Sequence, residues 1–77
     1  MIKGGTKRRN EIAIQTVASN IRKYRMEKNL TIEELANILG VDYSQISRME
    51  RAKVNANISL IFDIAAVLEI SPALLVE

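Results

Sequence analysis

Apolar residues recur along this chain with the period of α-helices, and no stretch shows the alternation of a strand. Glu11 to Lys28 contains neither Gly nor Pro. Within it Ile14, Val17, Ala18, Ile21 and Tyr24 follow the i, i+3, i+4, i+7 spacing of a buried stripe. Asn10 is placed to cap this helix, with Glu11 in its first turn and Lys28-Asn29 suited to its end. Thr16 is an alternative start. Asn20, Lys23 and Glu27 fall on the opposite side, and Ile12 lies off the stripe.

The next pattern, Thr31 to Arg51, predicts two short helices around a tight turn. Thr31 and Glu34 have capping-box spacing. Leu35, Ala36 and Leu39 share one face, and Gly40 stands where a left-handed C-cap residue is needed. Asp42 can cap the second helix, in which Ile46 and Met49 face inward. Tyr43, Ser44, Gln45, Ser47 and Arg48 are left outward. That face carries hydrogen-bonding side chains instead of a generic Glu/Lys mixture, which suggests a surface that reads something.

Leu30 joins these segments and is expected in the core. After an Asn-rich loop, Asn57 caps a fourth helix over Ile58 to Leu68, with the stripe Leu60, Ile61, Ile64, Ala65 and Leu68. Ser71-Pro72 then starts a last short helix over Ala73 to Val76. The pattern predicts an all-α, compact five-helix bundle over residues 10–77. The preceding residues 1–9, with adjacent glycines and four cations, read as a flexible basic arm.

Composition narrows the function. The 77 residues make one domain near the lower size limit for a self-sufficient core. Cys and His are both absent, so disulfides, thiolate metal sites and the commonest general base are excluded. Glu33 and Glu34 point to a helix N-terminus and not to a paired-carboxylate site, because adjacent helical positions face about 100° apart. An enzyme, a metal site and a cofactor are therefore not expected, and no small-molecule ligand is evident. No apolar run approaches a membrane span and no signal-like h-region follows the basic N-terminus, which makes a cytoplasmic protein the expectation. Net charge is +2, unevenly placed: residues 1–28 hold eight cations and two anions, residues 29–77 three cations and seven anions. That asymmetry favours an anionic partner for one side.

The chain resembles the phage-repressor and Cro-type, or XRE-like, helix-turn-helix family over about residues 17–76. The resemblance is carried by I-R-x-x-R at Ile21 to Arg25, L-T-x-E-E-L-A at Leu30 to Ala36, and L-G-V at Leu39 to Val41. I-S-R-M-E-R at Ile46 to Arg51 and I-A-x-x-L-x-I-S-P at Ile64 to Pro72 complete it. The short chain looks most similar to restriction–modification controller proteins. The resemblance implies a lambda-repressor-like fold in which Tyr43 to Arg51 enters the major groove of double-stranded DNA. Tyr43, Ser44, Gln45 and Arg48 would then face base edges, and Thr31, Ser47, Arg51, Lys53 and Arg22 would contact phosphates. Gln suits adenine and Arg suits guanine. The family pattern also pairs an Arg such as Arg25 with a Glu such as Glu50, an orienting ion pair.

Two positions depart from that family. Ile32 stands where a phosphate-contacting Gln is frequent. Ala52 stands where Gly often follows E-R, so another loop path is expected. A single recognition helix covers too few base pairs for selectivity, and the resemblance implies a homodimer on a palindrome. Phe62, Val67, Ile70, Leu74 and Leu75 are the candidate dimer interface, with Ala73 and Val76 beside them. The competing reading is a protein-interaction module, antitoxin or adaptor, on the same fold. Ile32 and the apolar C-terminal tail favour it, and the polar outer face of the second motif helix favours DNA.

Overall fold

Local signals set the helix ends, and the computed structural model describes residues 9–77. Asn10 adopts an extended conformation, and its Oδ1 accepts from the Ala13 amide at 2.9 Å, starting α1, Glu11–Glu27. Asn29 then turns left-handed at φ +59°. This lets the Leu30 amide return to the Arg25 carbonyl at 3.1 Å. Thr31 and Glu34 form the full capping box of α2, Ile32–Leu39. Gly40 follows at φ +73°, a conformation that a Cβ makes costly, and the Val41 amide closes onto the Ala36 carbonyl.

Asp42 precedes α3, Tyr43–Glu50, with extended dihedrals but makes no side-chain cap. The expected Asp cap is therefore corrected: the Gln45 amide donates to the Asp42 backbone carbonyl at 3.0 Å instead. Asn57 caps α4, Ile58–Leu68, through the Leu60 amide at 2.8 Å. Glu69, at φ +59°, ends α4 in the manner of a glycine. Ser71 begins α5, Ala73–Val76: its Oγ accepts from the Ala73 amide, and its carbonyl from the Leu74 amide.

Every helix sends one large side chain into the same core. Ile21, Leu35, Ile46, Ile64 and Leu75 come from α1 to α5 in turn, and each is essentially inaccessible to solvent. Around them α1 packs on α3, α4 and α5, and α2 packs on α3 and α4. Full burial corrects the placement of Leu75 in a dimer interface: at 0% exposure it closes the monomer. Val67 and Ile70 are half-buried and lean on the same core, which leaves them little surface for a partner. Leu30 packs against it as expected. Asn20 is not a solvated outer residue, since its Nδ2 donates to the carbonyls of Leu75 and Glu77, each at 3.1 Å. It ties the short α5 to α1.

A smaller cluster of Ile14, Ala18 and Ala52 fastens α1 to the loop after α3. Ala52 has φ +58°, so the loop keeps the left-handed geometry despite lacking glycine, contrary to the expected alternative path. The methyl group is buried there, which offsets part of the conformational cost. Arg9 crosses this loop: its NH2 group donates to the Ala52 carbonyl at 3.3 Å, and its Nε pairs with Glu11 at 2.8 Å. The rest of the expected basic arm, residues 1–8, lies outside the described residues. Ile12, left off the stripe by periodicity, is 81% exposed.

Candidate nucleic-acid interface

The amphipathic split of α3 creates the candidate surface. Ile46 and Met49 are buried, while Tyr43, Ser44 and Arg48 are exposed and Gln45 and Ser47 half-buried. A helix turns about 100° per residue, so these five polar groups spread across one outward arc. With no Asp42 side-chain cap, the Tyr43 and Ser44 amides at the start of α3 are left for water or an anion. At the other end the Lys53 amide donates to the Arg48 carbonyl at 2.9 Å, turning the chain away from the helix.

Arg25 and Glu50 hold α3 against α1. The Arg25 Nε donates to Glu50 Oε2 at 2.6 Å, and its NH2 group donates to Oε1 at 2.9 Å, a two-pronged geometry that fixes both planes. Its NH1 group donates to the Leu30 carbonyl at 2.7 Å. One guanidinium thus joins α1, the turn before α2, and the last residue of α3. The Arg25 and Glu50 side chains are 11% and 4% exposed, so the pair sits in low dielectric. Hydrogen bonding to Glu50 raises the Arg25 pKa, burial pulls it down, and the neighbouring carboxylate charge adds to the rise. The guanidinium is held charged.

The ion pairs among the described residues engage Arg9, Arg25 and Lys28, the last with Glu69. Arg22, Arg48, Arg51 and Lys53 are outside them and exposed. Arg51 folds back along α3, its Nε donating to the Ser47 carbonyl at 3.4 Å. The Thr31 Oγ is occupied as an acceptor by its capping box, while its hydroxyl proton is still available to donate. Lys23, beside Arg22, has its Nζ 5.0 Å from the centroid of the Tyr24 ring.

On α4, Ile58 and Phe62 are exposed one turn apart, 67% and 54%, and Val76 of α5 is 54% exposed. Leu74 is half-buried. Ile58 stands at the capped end of α4, off the core stripe. Sequence reasoning missed Arg9 as an anchor, since nothing local connects it to a loop more than forty residues later.

A helix-turn-helix family model, HTH_3, matches residues 21–75, and that range contains both motif helices and all of the core helices' principal side chains. The chain belongs to this helix-turn-helix family. A hypothetical transcription factor, NHTF from Neisseria, superposes with a TM-score of 0.82 at 30% identity, over 95% of this chain and 85% of that one. The restriction-modification controller protein C.AhdI from Aeromonas hydrophila gives 0.76 at 31% identity, over 80% of this chain and 94% of that one. An HTH_3 family transcriptional regulator from Vibrio cholerae shares the fold, with a TM-score of 0.77 at 22% identity over 83% of this chain and 36% of that one. Comparison with curated proteins gives no significant match.

Proposed function

We propose that the protein is a sequence-specific DNA-binding transcriptional regulator that places α3 in the major groove and binds a palindromic operator as a homodimer. The observation that carries this reading is the outer face of α3. Tyr43, Ser44 and Arg48 stand exposed there, on a helix clamped by a buried two-pronged ion pair. A reading helix needs both features: hydrogen-bonding groups that face outward, and a rigid mount. Tyr43, Ser44, Gln45 and Arg48 are assigned to base edges. Thr31, Ser47, Arg51, Lys53 and Arg22 are assigned to phosphates, with residues 1–9 as a basic arm adding charge of no sequence content.

The dimer is assigned to Ile58, Phe62, Leu74 and Val76, an apolar set on α4 and α5 that the monomer leaves wholly or partly uncovered. Likeness to C.AhdI supports the controller subfamily, and a regulator of this kind works in the cytoplasm. A second reading, a protein-interaction module, is favoured by Met26 and Ile38, both apolar and more than half exposed. Fluorescence anisotropy with duplex DNA across salt concentrations separates the two. A regulator binds with log K falling linearly in log salt. No binding at low salt assigns the fold to a protein partner.

A further inference from the structure

The first residues of α2 and α3, Ile32 and Tyr43, line one shallow cleft together with Arg25, Met26 and Leu30. Ile32 and Leu30 are half-buried and rest on the core, so they form a firm apolar floor. Met26 and Tyr43 are each 56% exposed and form the walls. A thioether, two branched aliphatic chains and a ring therefore meet at the N-terminal ends of both motif helices, with Asn29 and Thr31 as uncharged polar groups beside them.

The charges around the cleft say what kind of group fits. Each guanidinium nitrogen of Arg25 already donates, two to Glu50 and one to Leu30. Arg25 is the one cation among the described residues of the cleft, and its charge is matched by the Glu50 carboxylate. Glu33 stands at the rim with its carboxylate exposed. Thr31 keeps a hydroxyl proton for a backbone phosphate at the edge of the cleft, but a phosphate within it would meet the Glu33 carboxylate and a guanidinium whose charge Glu50 already matches. An uncharged apolar group meets neither penalty. Arg22 and Lys23 lie one turn before Met26 on α1 and are exposed, so they can hold backbone phosphates beside the cleft.

We infer that this cleft takes the C5-methyl group of a thymine, and that Tyr43, seated by Ile32 and Met26, sets a thymine preference in the operator. The inference rests on the proposed docking of α3 in the major groove. There the thymine methyl is the one apolar feature that the four base pairs present, and it is read by apolar contact. Tyr43 begins α3, so its ring lies at the end of the helix nearest base edges. Ile32 acts as a positioning residue: its half-buried side chain lines the same cleft as Tyr43 and does not read a base itself. The apolar residue at Ile32, a departure from the family pattern, thereby acquires a purpose.

The test uses the full chain and its selected operator, with each thymine replaced in turn by deoxyuridine, which removes only the methyl group. Burial of one methyl predicts about a three- to five-fold loss of affinity at one symmetry-related position in each half-site. Tyr43→Ala should abolish that loss, Ile32→Ala should reduce it, and Arg48→Ala should leave it unchanged. Tyr43 is exposed, so its truncation spares the core. Specific operator binding with no methyl effect, or an effect untouched by Tyr43→Ala, overturns the inference while leaving the regulator reading intact, and leaves the cleft to a protein partner. Failure to bind any duplex overturns both.

Discussion

Removing Arg25 is the perturbation whose consequence the structure specifies most fully. Arg25→Ala deletes three donors at once: two to Glu50 and one to the Leu30 carbonyl. The Glu50 carboxylate, 4% exposed, is left without its counter-charge. Breaking a buried pair this way costs about 3–5 kcal/mol, chiefly the uncompensated charge. The loss of the Leu30 partner belongs to the same deletion and lies within that range unless water replaces it. A domain of 77 residues is expected to have roughly 4–12 kcal/mol of total stability, so the loss is about a quarter of it or more and unfolds the domain at the lower end of that range. Arg25→Lys restores charge without the two-pronged geometry and should recover only part. Arg25→Met with Glu50→Leu removes both charges and should return to within about 1 kcal/mol of the parent, because desolvation offsets most of the pair's attraction. Urea denaturation followed by circular dichroism measures all four chains. An Arg25→Ala variant within about 1 kcal/mol of the parent refutes the reasoning. The double variant also isolates the orienting role: stable, yet weaker on its operator. A raised Arg pKa gives stability that is complete below the unfolded value and lost only above the folded one. Arg25 therefore adds no pH dependence across the ordinary range.

Other expectations follow from single contacts. Ala52→Gly relieves about 1–2 kcal/mol at φ +58° but gives up a buried methyl of about 0.8 kcal/mol, so thermal denaturation should show a neutral to slightly stabilised domain. Ala65→Gly, buried within α4, should be clearly destabilising in the same assay, and equal losses at both sites would contradict the left-handed assignment. Arg48→Ala should cost about 1–3 kcal/mol of operator affinity and relax one base position, whereas Lys53→Ala should weaken all duplexes alike and lower the salt slope by about one. Phe62→Glu should shift the sedimentation of the protein toward monomer at micromolar concentration without unfolding it, since Phe62 is 54% exposed; an unchanged oligomeric state would remove α4 from the interface.

The helix boundaries were legible because they are written locally. Asn10, Thr31 with Glu34, Gly40 and Asn57 each act within four residues, and each does so in the structure. The five-helix, all-α architecture followed from them and from the long apolar stripes. Periodicity failed where an element is too short to have any. In the four-residue α5 it could not tell buried Leu75 from half-buried Leu74. Ala52 and Glu69 were hidden for another reason: their side chains disfavour the left-handed backbone that tertiary packing imposes on them. The contacts of Asn20 with α5 and of Arg9 with the loop after α3 span more than forty residues, beyond any local pattern. The outward set on α3 was readable because burial of Ile46 and Met49 determines which residues face away. The cleft between Ile32 and Tyr43 was not, since it depends on how the starts of α2 and α3 meet.

Selection of bound duplexes from a random pool tests the central claim most directly. The account predicts an enriched palindrome whose half-sites are centred about one helical turn apart, ~10 base pairs, each carrying positions sensitive to Gln45 and Arg48. Retention that is salt-sensitive but enriches no sequence, or no retention at all, would contradict it.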